Sequence, residues 1–347
     1  MKRLISIMLL GMFLAAQGFT QSDLQPVAIV RLTKSEPITV KQYRTEVERM
    51  EKQAGRALDT AERRQVLDVM INEKLAIQAA ERDKIIVSEN EINQQLQNLR
   101  ASLAQRVGRQ PTDAEFTVAV RNETGLELPA FREQLRRQLI TQKYLLSKKQ
   151  SLFNSIVPPT ETDIVNTYTL AKTQFIRPET VRFSMIQVPF GADSGTKTKA
   201  KSLADQLMQE IGSNPAKFDE AMIRGQTPNS GYQAGDGGYL PRNLEAQQVA
   251  GQDFINTAFS LKQGEVSKLI EGVRGYQIIK VTETYGQKSL ELDDVFQLGS
   301  RMTVRDYIGN ALLQERQQAV IERATQELVT ELRTGNPFQI FENNLKW

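Results

Sequence analysis

The feature that most constrains the fold is one long amphipathic helical pattern near the C-terminal end. Residues 304–332 carry charges between the apolar side chains of one stripe: Tyr307, Ile308, Leu312, Val320, Ile321, Leu328 and Leu332. A helix of this length cannot bury its own stripe, so another part of the chain must cover it. The first 150 residues contain helical stripes with the same need. We therefore expect the C-terminal helix to pack on the N-terminal helices.

The N-terminal block combines a short strand, residues 27–32, with several helices. The helix start signals are Thr60 as a cap and two capping-box spacings, Ser88 with Glu91 and Thr112 with Glu115. The helix after Ser88 carries a stripe that we interpret as core: Ile92, Leu96, Leu99 and Leu103. Leucine stripes at helical spacing are typical of packing rather than of a functional site.

The character of the chain changes at residue 180. A strand at 181–190 is followed by two helical patterns, a Gly-rich loop with a short strand at 238–240, a helix at 253–261 and a closing hairpin. The order β-α-α-β-α-β-β over about 100 residues indicates a small α+β domain. Because helical patterns flank it on both sides, we expect this domain to be inserted into the helical block.

The composition excludes several kinds of chemistry. The chain has no histidine and no cysteine, which rules out Ser-His-Asp triads, histidine or cysteine metal sites, disulfides and an N-terminal lipid-anchored cysteine. It also lacks the GxxxxGK[ST] phosphate loop. We therefore expect no metal, no cofactor and no nucleotide. An enzyme built from this sequence would use little proton chemistry.

The first residues have the layout of a secretory signal peptide. Lys2 and Arg3 precede an apolar run over residues 4–19, and Ala16-Gln17-Gly18 has small residues at cleavage spacing. We predict a signal peptide at 1–18, cleaved after Gly18. The run is shorter than the ~20 residues of a membrane span, which makes a retained anchor the weaker alternative. Loss of Lys2 and Arg3 takes the formal net charge from +3 to +1, so no nucleic-acid partner is expected.

Three stretches resemble a known family. ITVKQYR with RRQVLDVMINEKLAIQAAERDKIIVSENEINQQL, and LPAFREQLRRQLITQKYL, resemble the N-terminal domain of SurA-type periplasmic chaperones, the SurA, PpiD and PrsA relatives. LKQGEVS followed by GYQIIKV is similar to the end of a parvulin peptidyl-prolyl isomerase (rotamase) domain. The resemblance covers about residues 27–285. It implies an α+β fold with a helical chaperone module and an inserted parvulin-like domain, whose four-stranded antiparallel sheet has flanking helices.

The resemblance and the patterns together predict the domain boundaries. We expect a signal peptide at 1–18, an N-terminal helical chaperone domain at 24–176 and a parvulin-like domain at 180–284. Residues 288–347 would form a C-terminal helix that packs on the N-terminal domain.

The resemblance also locates the positions where active parvulins carry histidine. Their closing strand reads Gly-Tyr/Phe-His-Ile-Ile, and Gln277 stands at the histidine position. Their first strand usually begins with the other histidine, and Met185 stands there. The Cys or Asp of the family falls near Thr227 or Pro228. We expect Met185 and Gln277 to face one another and repack the core, and we assign no catalytic residue.

The substrate pocket that the resemblance implies is assigned in part. Phe254 matches an apolar pocket residue of the family, and Leu244 or Val249 are candidates for a second one. Met185 and Gln277 would also contact substrate. Spacing alone makes Phe254 a core residue of its helix, and Asp236, in the sequence GDGG, serves a turn rather than acting as a catalytic acid.

The resemblance implies an exported, ATP-independent chaperone in the periplasm that holds unfolded secreted or outer-membrane proteins during folding and assembly. Its parvulin-like domain would have reduced or absent prolyl isomerase activity, since both family histidines are missing. The alternative is an active peptidyl-prolyl isomerase, a foldase whose pocket tolerates methionine and glutamine. A third possibility is an anchored adaptor, in which membrane contact is made only through an uncleaved signal segment.

Overall fold

The computed structural model describes residues 23–191, 194–227 and 230–345. The signal peptide expected at 1–18 and Pro228 lie outside the described residues. The chain divides into two compact units. The first unit contains the described residues up to Ile156 together with those from Arg316 onward, and the second unit is Val157–Glu315. Each unit is described by itself below.

Helices and strands are numbered along the chain. The helices are α1 Val40–Ala54, α2 Thr60–Arg82, α3 Glu89–Val107, α4 Asp113–Thr124, α5 Leu128–Lys148, α6 Gln150–Asn154, α7 Glu161–Ala171, α8 Ser194–Ile211, α9 Pro215–Gly225, α10 Leu244–Ala250, α11 Gln252–Ser260 and α12 Val304–Arg333. The strands are β1 Pro26–Val30, β2 Glu36–Thr39, β3 Ile176–Arg177, β4 Thr180–Pro189, β5 Gln233–Pro241, β6 Ile270–Glu271, β7 Gly275–Tyr285, β8 Lys288–Ser289 and β9 Phe338–Ile340. None of the described helices has the length and apolar content that crossing a membrane requires.

The first unit is built around strand β1, which lies between β2 and β9 in a three-stranded antiparallel sheet. Ala28 is paired with Ile38 on one side and with Ile340 on the other. The apolar core around β1 includes Leu67 of α2 and Leu328 of α12. The expectation that N- and C-terminal segments build one helical module is therefore confirmed.

Polar contacts fix α2 inside the first unit. The side chain of Gln78 is fully buried, and its Oε1 accepts the backbone N–H groups of Leu32 and Thr33 at 3.0 and 3.1 Å. Arg333, at the end of α12, donates to Asp68 Oδ1 and to Asn72 Oδ1, both at 2.7 Å. The turn after β1 and the end of α12 are therefore both attached to α2.

Capping boxes start several helices of the first unit. Those at Ser88–Glu91 and Thr112–Glu115 are present as expected. The expectation for Thr60 is wrong, because Asp59 is the N-cap and its side chain accepts the N–H of Glu62 at 2.8 Å. A salt bridge to Arg56 and the N–H of Asp59 lower the pKa of Glu62 to about 2, so its carboxylate stays charged in the cap.

The apolar stripe of α3 is less covered than we expected. Ile92 is buried, but Leu99 is 43% exposed, so the core interpretation is wrong for this leucine. Val107 at the end of α3 and Val118 on α4 are also exposed. Periodicity identifies an apolar stripe, but it does not show whether another element covers it. Helices α3 and α4 therefore present apolar side chains to solvent.

The second unit contains the four-stranded antiparallel sheet that we expected, in the order β5-β4-β7-β6. Helices α8 and α9 cover one face, where Ile186 and Ile278 pack on Phe218. Helix α11 covers the other face, where Phe183 and Ile279 pack with Phe254. We call this second side the α11 face. Strand β5 is longer than the short strand expected at 238–240.

The chain enters and leaves the sheet domain at neighbouring points. Thr180 at the start of β4 is paired with Tyr285 at the end of β7, and Arg177 of β3 is paired with Lys288 of β8. Beyond this hairpin, Val304 and other residues of the first turns of α12 pack in a separate cluster of the second unit. The compact units divide at residues 156/157 and 315/316, while the boundaries expected at 24–176, 180–284 and 288–347 stay predictions.

Replacing Gln78 tests the attachment of the β1 turn to α2. We expect Gln78→Ala to lower the free energy of unfolding by about 2–4 kcal/mol, because two backbone N–H groups lose their buried acceptor and a cavity remains. Gln95→Ala, an exposed glutamine on α3, is the control and should stay within about 0.5 kcal/mol of wild type. Urea unfolding followed by circular dichroism measures both. Equal stability of the two variants would contradict the role of Gln78.

Candidate functional site

Met185 lies at the centre of the α11 face. On strand β4 it is directly opposite Ile279 of β7 and Gly235 of β5. Its side chain is half-buried at the edge of the apolar cluster that contains Ile279 and Phe254. The space over Gly235 is open, since a Cβ atom added there would meet no heavy atom within 4 Å. Met185 therefore lies beside the open space over Gly235, which we call the opening.

Gln277 lies one row away from Met185. The register pairs Gln277 with Gln187, so Met185 and Gln277 are diagonal neighbours and do not face one another as we expected. The Oε1 atom of Gln277 is buried and has no hydrogen-bond partner. The nearby Gly272 leaves room for it, because a Cβ added to Gly272 would lie 3.0 Å from this oxygen. Gln277 thus has an unpaired acceptor, and its equivalence to a family histidine stays a prediction.

Phe254 forms an apolar wall beside the opening. It is buried on α11, and its ring meets that of Phe183 edge to face with centroids 5.4 Å apart. Strand β5 has a glycine where this pair needs room, since a Cβ on Gly237 would lie 2.2 Å from the ring of Phe183. The two aromatic rings pack against each other. Because Gly237 has no side chain, β5 can lie close to the ring of Phe183.

The two candidate residues on α10 lie away from this cluster. Leu244 and Val249 are 75% and 83% exposed, whereas Ala246 and Ala250 of the same helix pack on the apolar cluster. The structure therefore does not bring Leu244 or Val249 together with Met185 and Phe254. Their assignment to a pocket stays a prediction.

Thr227 and Asp236 are both engaged in local structure. Thr227 is exposed after α9, and its hydroxyl donates to the carbonyl oxygen of Arg224 at 2.6 Å. Asp236 accepts from Arg182 at 2.7 Å and from the N–H of Gly238 at 2.9 Å. The salt bridge to Arg182 is the main cause of the lowered pKa of Asp236. Asp236 therefore acts as a fixed anion in the strand and is not poised to donate a proton.

The α11 face around the opening carries no charge. Three consecutive rows across β7, β4 and β5 consist of Gln277, Gln187 and Gln233, then Ile279, Met185 and Gly235, then Val281, Phe183 and Gly238. None of these side chains is titratable in the physiological range. The arrangement can bind neutral or apolar groups, but it offers no general acid or base.

Two residues of this face were missed by sequence reasoning. Gln187 follows Met185 at the i+2 position of the same strand, so the alternation of β4 already placed it on this face. Gln233 could not be found, because the expected strand began only at residue 238. Gln187 and Gln233 extend the polar row that Gln277 begins.

Comparison with known proteins agrees with this architecture. A model of the SurA-like N-terminal domain matches residues 2–145, and a model of the PPIC-type PPIase domain matches residues 168–285. The chaperone SurA of Nitrosococcus oceani is 28% identical over 66% of this chain and 50% of its own length. That of Saccharophagus degradans is 25% identical over 79% and 62%. The chain thus spans about half to three fifths of these curated relatives.

A shorter relative is matched over more of its length. The foldase protein PrsA of Clostridium botulinum strain Loch Maree is 23% identical over 88% of this chain and 80% of its own. A solved SurA-like chaperone of Campylobacter jejuni is 15% identical, with a TM-score of 0.40 over 91% of this chain and 100% of that chain.

The fold and the matched domains define a protein in which a SurA-like helical module is interrupted along the sequence by a PPIC-type PPIase domain. The chain therefore combines the two kinds of domain of the SurA-type family that carries a parvulin-like peptidyl-prolyl isomerase domain, and it is similar to the SurA chaperones.

The unpaired amide oxygen of Gln277 predicts that an apolar substitution there stabilises the protein. Gln277→Met should raise the free energy of unfolding by about 1 kcal/mol, because it removes a desolvated acceptor that has no partner. Gln187→Met on the adjacent strand is the control, and its effect should stay within about 0.5 kcal/mol. Urea unfolding of both variants decides the point. A loss of stability in Gln277→Met would mean that the amide is hydrogen-bonded.

Proposed function

We propose that this chain is an exported, ATP-independent chaperone that holds unfolded secreted or outer-membrane proteins, and that its parvulin-like domain has little or no prolyl isomerase activity. The single observation that carries the second part is the uncharged α11 face. The three rows around the opening contain no titratable side chain. They include Met185 and Gln277, which the resemblance assigns to the two histidine positions of active parvulins. Similarity to SurA and PrsA proteins supports the chaperone part and a place in the periplasm.

The energetics of prolyl isomerisation support this proposal. The barrier to rotation of the peptide bond is about 18–20 kcal/mol, and a catalyst must favour the twisted amide over the planar one. The walls made by Phe183 and Phe254 could accept an apolar ring. However, the buried oxygen of Gln277 is turned towards Gly272. Binding without effective catalysis is the result that we expect from such a face.

The surface of the first unit supports client binding by its helices. Leu99 and Val107 of α3 and Val118 of α4 remain exposed in the folded unit. Burial of apolar surface contributes about 25 cal/mol per Å², so scattered side chains of this kind give weak contacts that tolerate many sequences. A holding chaperone needs such contacts because it must release its clients.

The alternative function is that of an active prolyl isomerase. It is favoured by the opening over Gly235, which lies next to Met185 in the apolar part of the α11 face. An opening of this kind can take up a proline ring, and Phe254 would then be required for activity.

A protease-coupled assay with a proline peptide separates the two functions. We expect the full chain to accelerate isomerisation little above the uncatalysed rate, and Phe254→Ala to change nothing further. Ile223→Ala, at an exposed position of α9, is the control. Rates typical of active parvulins that are lost in Phe254→Ala and kept in Ile223→Ala would establish the isomerase instead.

The paired hairpin allows the sheet domain to be removed cleanly. Arg177 and Lys288 are directly opposed, so residues 178–287 can be replaced by an Asn-Gly turn of the type that joins paired strands. We expect this shortened chain to keep most of the suppression of client aggregation, measured by light scattering. Leu99→Gln with Val118→Gln should weaken suppression, whereas Leu170→Gln, an exposed leucine on α7, should not. Loss of suppression on removal of 178–287 would show that the helices are not the main client binder.

A further inference from the structure

The segment between β8 and α12 is firmly attached to α7 and to α12. We call residues 290–303 the strap. The hydroxyl of Tyr168 on α7 donates to the carbonyl oxygen of Leu290 at 3.0 Å. The ring of Phe296 stacks on that of Tyr307 on α12, with centroids 4.0 Å apart. Side chains of α7, the strap and the first turns of α12 form one apolar cluster, and we call these three elements the base.

The tip of the strap contacts the sheet domain. The N–H of Phe296 donates to the carbonyl oxygen of Met302 at 2.9 Å, which closes the strap into a loop with Gly299 near its tip. Gly299 has a φ of +82°, and a Cβ atom added there would lie 2.9 Å from the ring of Tyr239 on β5. Glycine adopts this backbone conformation without strain and also leaves room for the ring.

Tyr239 is held in position by its neighbours in the sheet domain. The guanidinium of Arg182 on β4 lies over the ring of Tyr239, 5.3 Å from its centroid. Arg182 is itself fixed by ion pairs with Asp236 at 2.7 Å and with Glu283 at 3.0 Å. The next residue on β5, Leu240, packs in the apolar cluster of the α11 face. Because side chains alternate along a strand, Tyr239 leaves the opposite side of the sheet.

The base and the sheet domain have separate cores. No described residue belongs both to the cluster of the base and to one of the two clusters of the sheet domain. The chain crosses between them twice, from β3 to β4 and from β7 to β8, and the short hairpin of β3 with β8 pairs these crossings. A rotation about this hairpin would leave all three clusters intact, but it would separate Gly299 from Tyr239.

We propose that Gly299 and Tyr239 form a latch that holds the sheet domain against the base, and that the sheet domain turns about the β3–β8 hairpin when the latch opens. Hinges of this kind consist of a few residues at the ends of elements. The ring of Tyr239 either packs on the strap tip or faces water, which gives the latch two states. Opening it changes the direction of the α11 face and leaves that face itself unchanged. The inference goes beyond the proposed function.

The test measures one distance in the full chain by double electron–electron resonance. The sequence contains no cysteine, so Leu170→Cys on α7 and Ile223→Cys on α9 place two spin labels at exposed positions of the base and of the sheet domain. We expect a single narrow distance distribution for this parent chain. Tyr239→Ala should broaden the distribution or add a second distance, whereas Tyr239→Phe keeps the ring and should match the parent.

A second variant tests the latch from the strap and leaves the sheet unaltered. The side chain of Gly299→Val meets the ring of Tyr239, so the distribution should broaden even if Tyr239→Ala does not fold. Gly264→Val is the matched control. Gly264 has a φ of +87°, and a Cβ atom added there meets no heavy atom within 4 Å. This control imposes similar backbone strain away from the latch, and the distribution should stay narrow.

Three results would overturn the latch. A parent distribution as broad as that of Tyr239→Ala would mean that the contact does not hold the sheet domain. A narrow, unshifted distribution in Gly299→Val would mean that other contacts fix its position. Equal broadening in Gly264→Val and Gly299→Val would assign the effect to backbone strain rather than to the contact with Tyr239.

Discussion

The pairing of β1 with β9 is the interaction on which the first unit depends. Val27 and Val30 are fully buried on a central strand, and both edges of such a strand need hydrogen-bond partners. The pairing continues at both ends of β9, where Arg31 donates to the carbonyl of Pro337 at 2.7 Å and Phe341 donates to that of Val27 at 2.9 Å. The core around β1 is therefore complete only when β9 has paired with β1. The second unit, Val157–Glu315, is therefore inserted along the sequence of the first.

This topology explains how the sheet domain can change its chemistry and keep its fold. The paired residues Thr180 and Tyr285 place its two chain ends side by side, and its two apolar clusters consist of residues 181–281 alone. Met185 and Gln277 satisfy the shape of the α11 face with flexible, uncharged side chains. The cost is one buried amide oxygen without a partner. The α11 face therefore offers no acid or base chemistry in these rows but keeps the apolar opening.

The sequence predicted features that depend on neighbouring residues and missed those that depend on distant ones. The capping box of Ser88 and Glu91 was found because its spacing is local. The insertion was found because the N-terminal helices and the C-terminal helix both carry apolar stripes that another element must cover. The partner of β9 could not be predicted, since strand pairing is not local. The exposure of Leu99 was missed because periodicity does not reveal what covers a stripe.

The candidate site was predictable in its composition and not in its register. Alignment with the family motif placed Met185 and Gln277, but only the pairing of β4 with β7 shows that Gln187 stands opposite Gln277. Strand β5 was recognised only in part because its glycines oppose strand propensity. Gly237 is nevertheless required there, since the ring of Phe183 occupies the space of a side chain.

Hydrogen exchange of the full chain and of a chain that ends at Arg333 tests most directly whether the two ends form one cooperative unit. The shortened chain lacks β9 but keeps every residue of α12. The account predicts that amides of β1, α2 and α5 all lose protection, while amides of β4 and β7 keep it. Unchanged protection of α2 and α5 in the shortened chain would show that the N-terminal helices fold without the C-terminal segment, and would contradict the account.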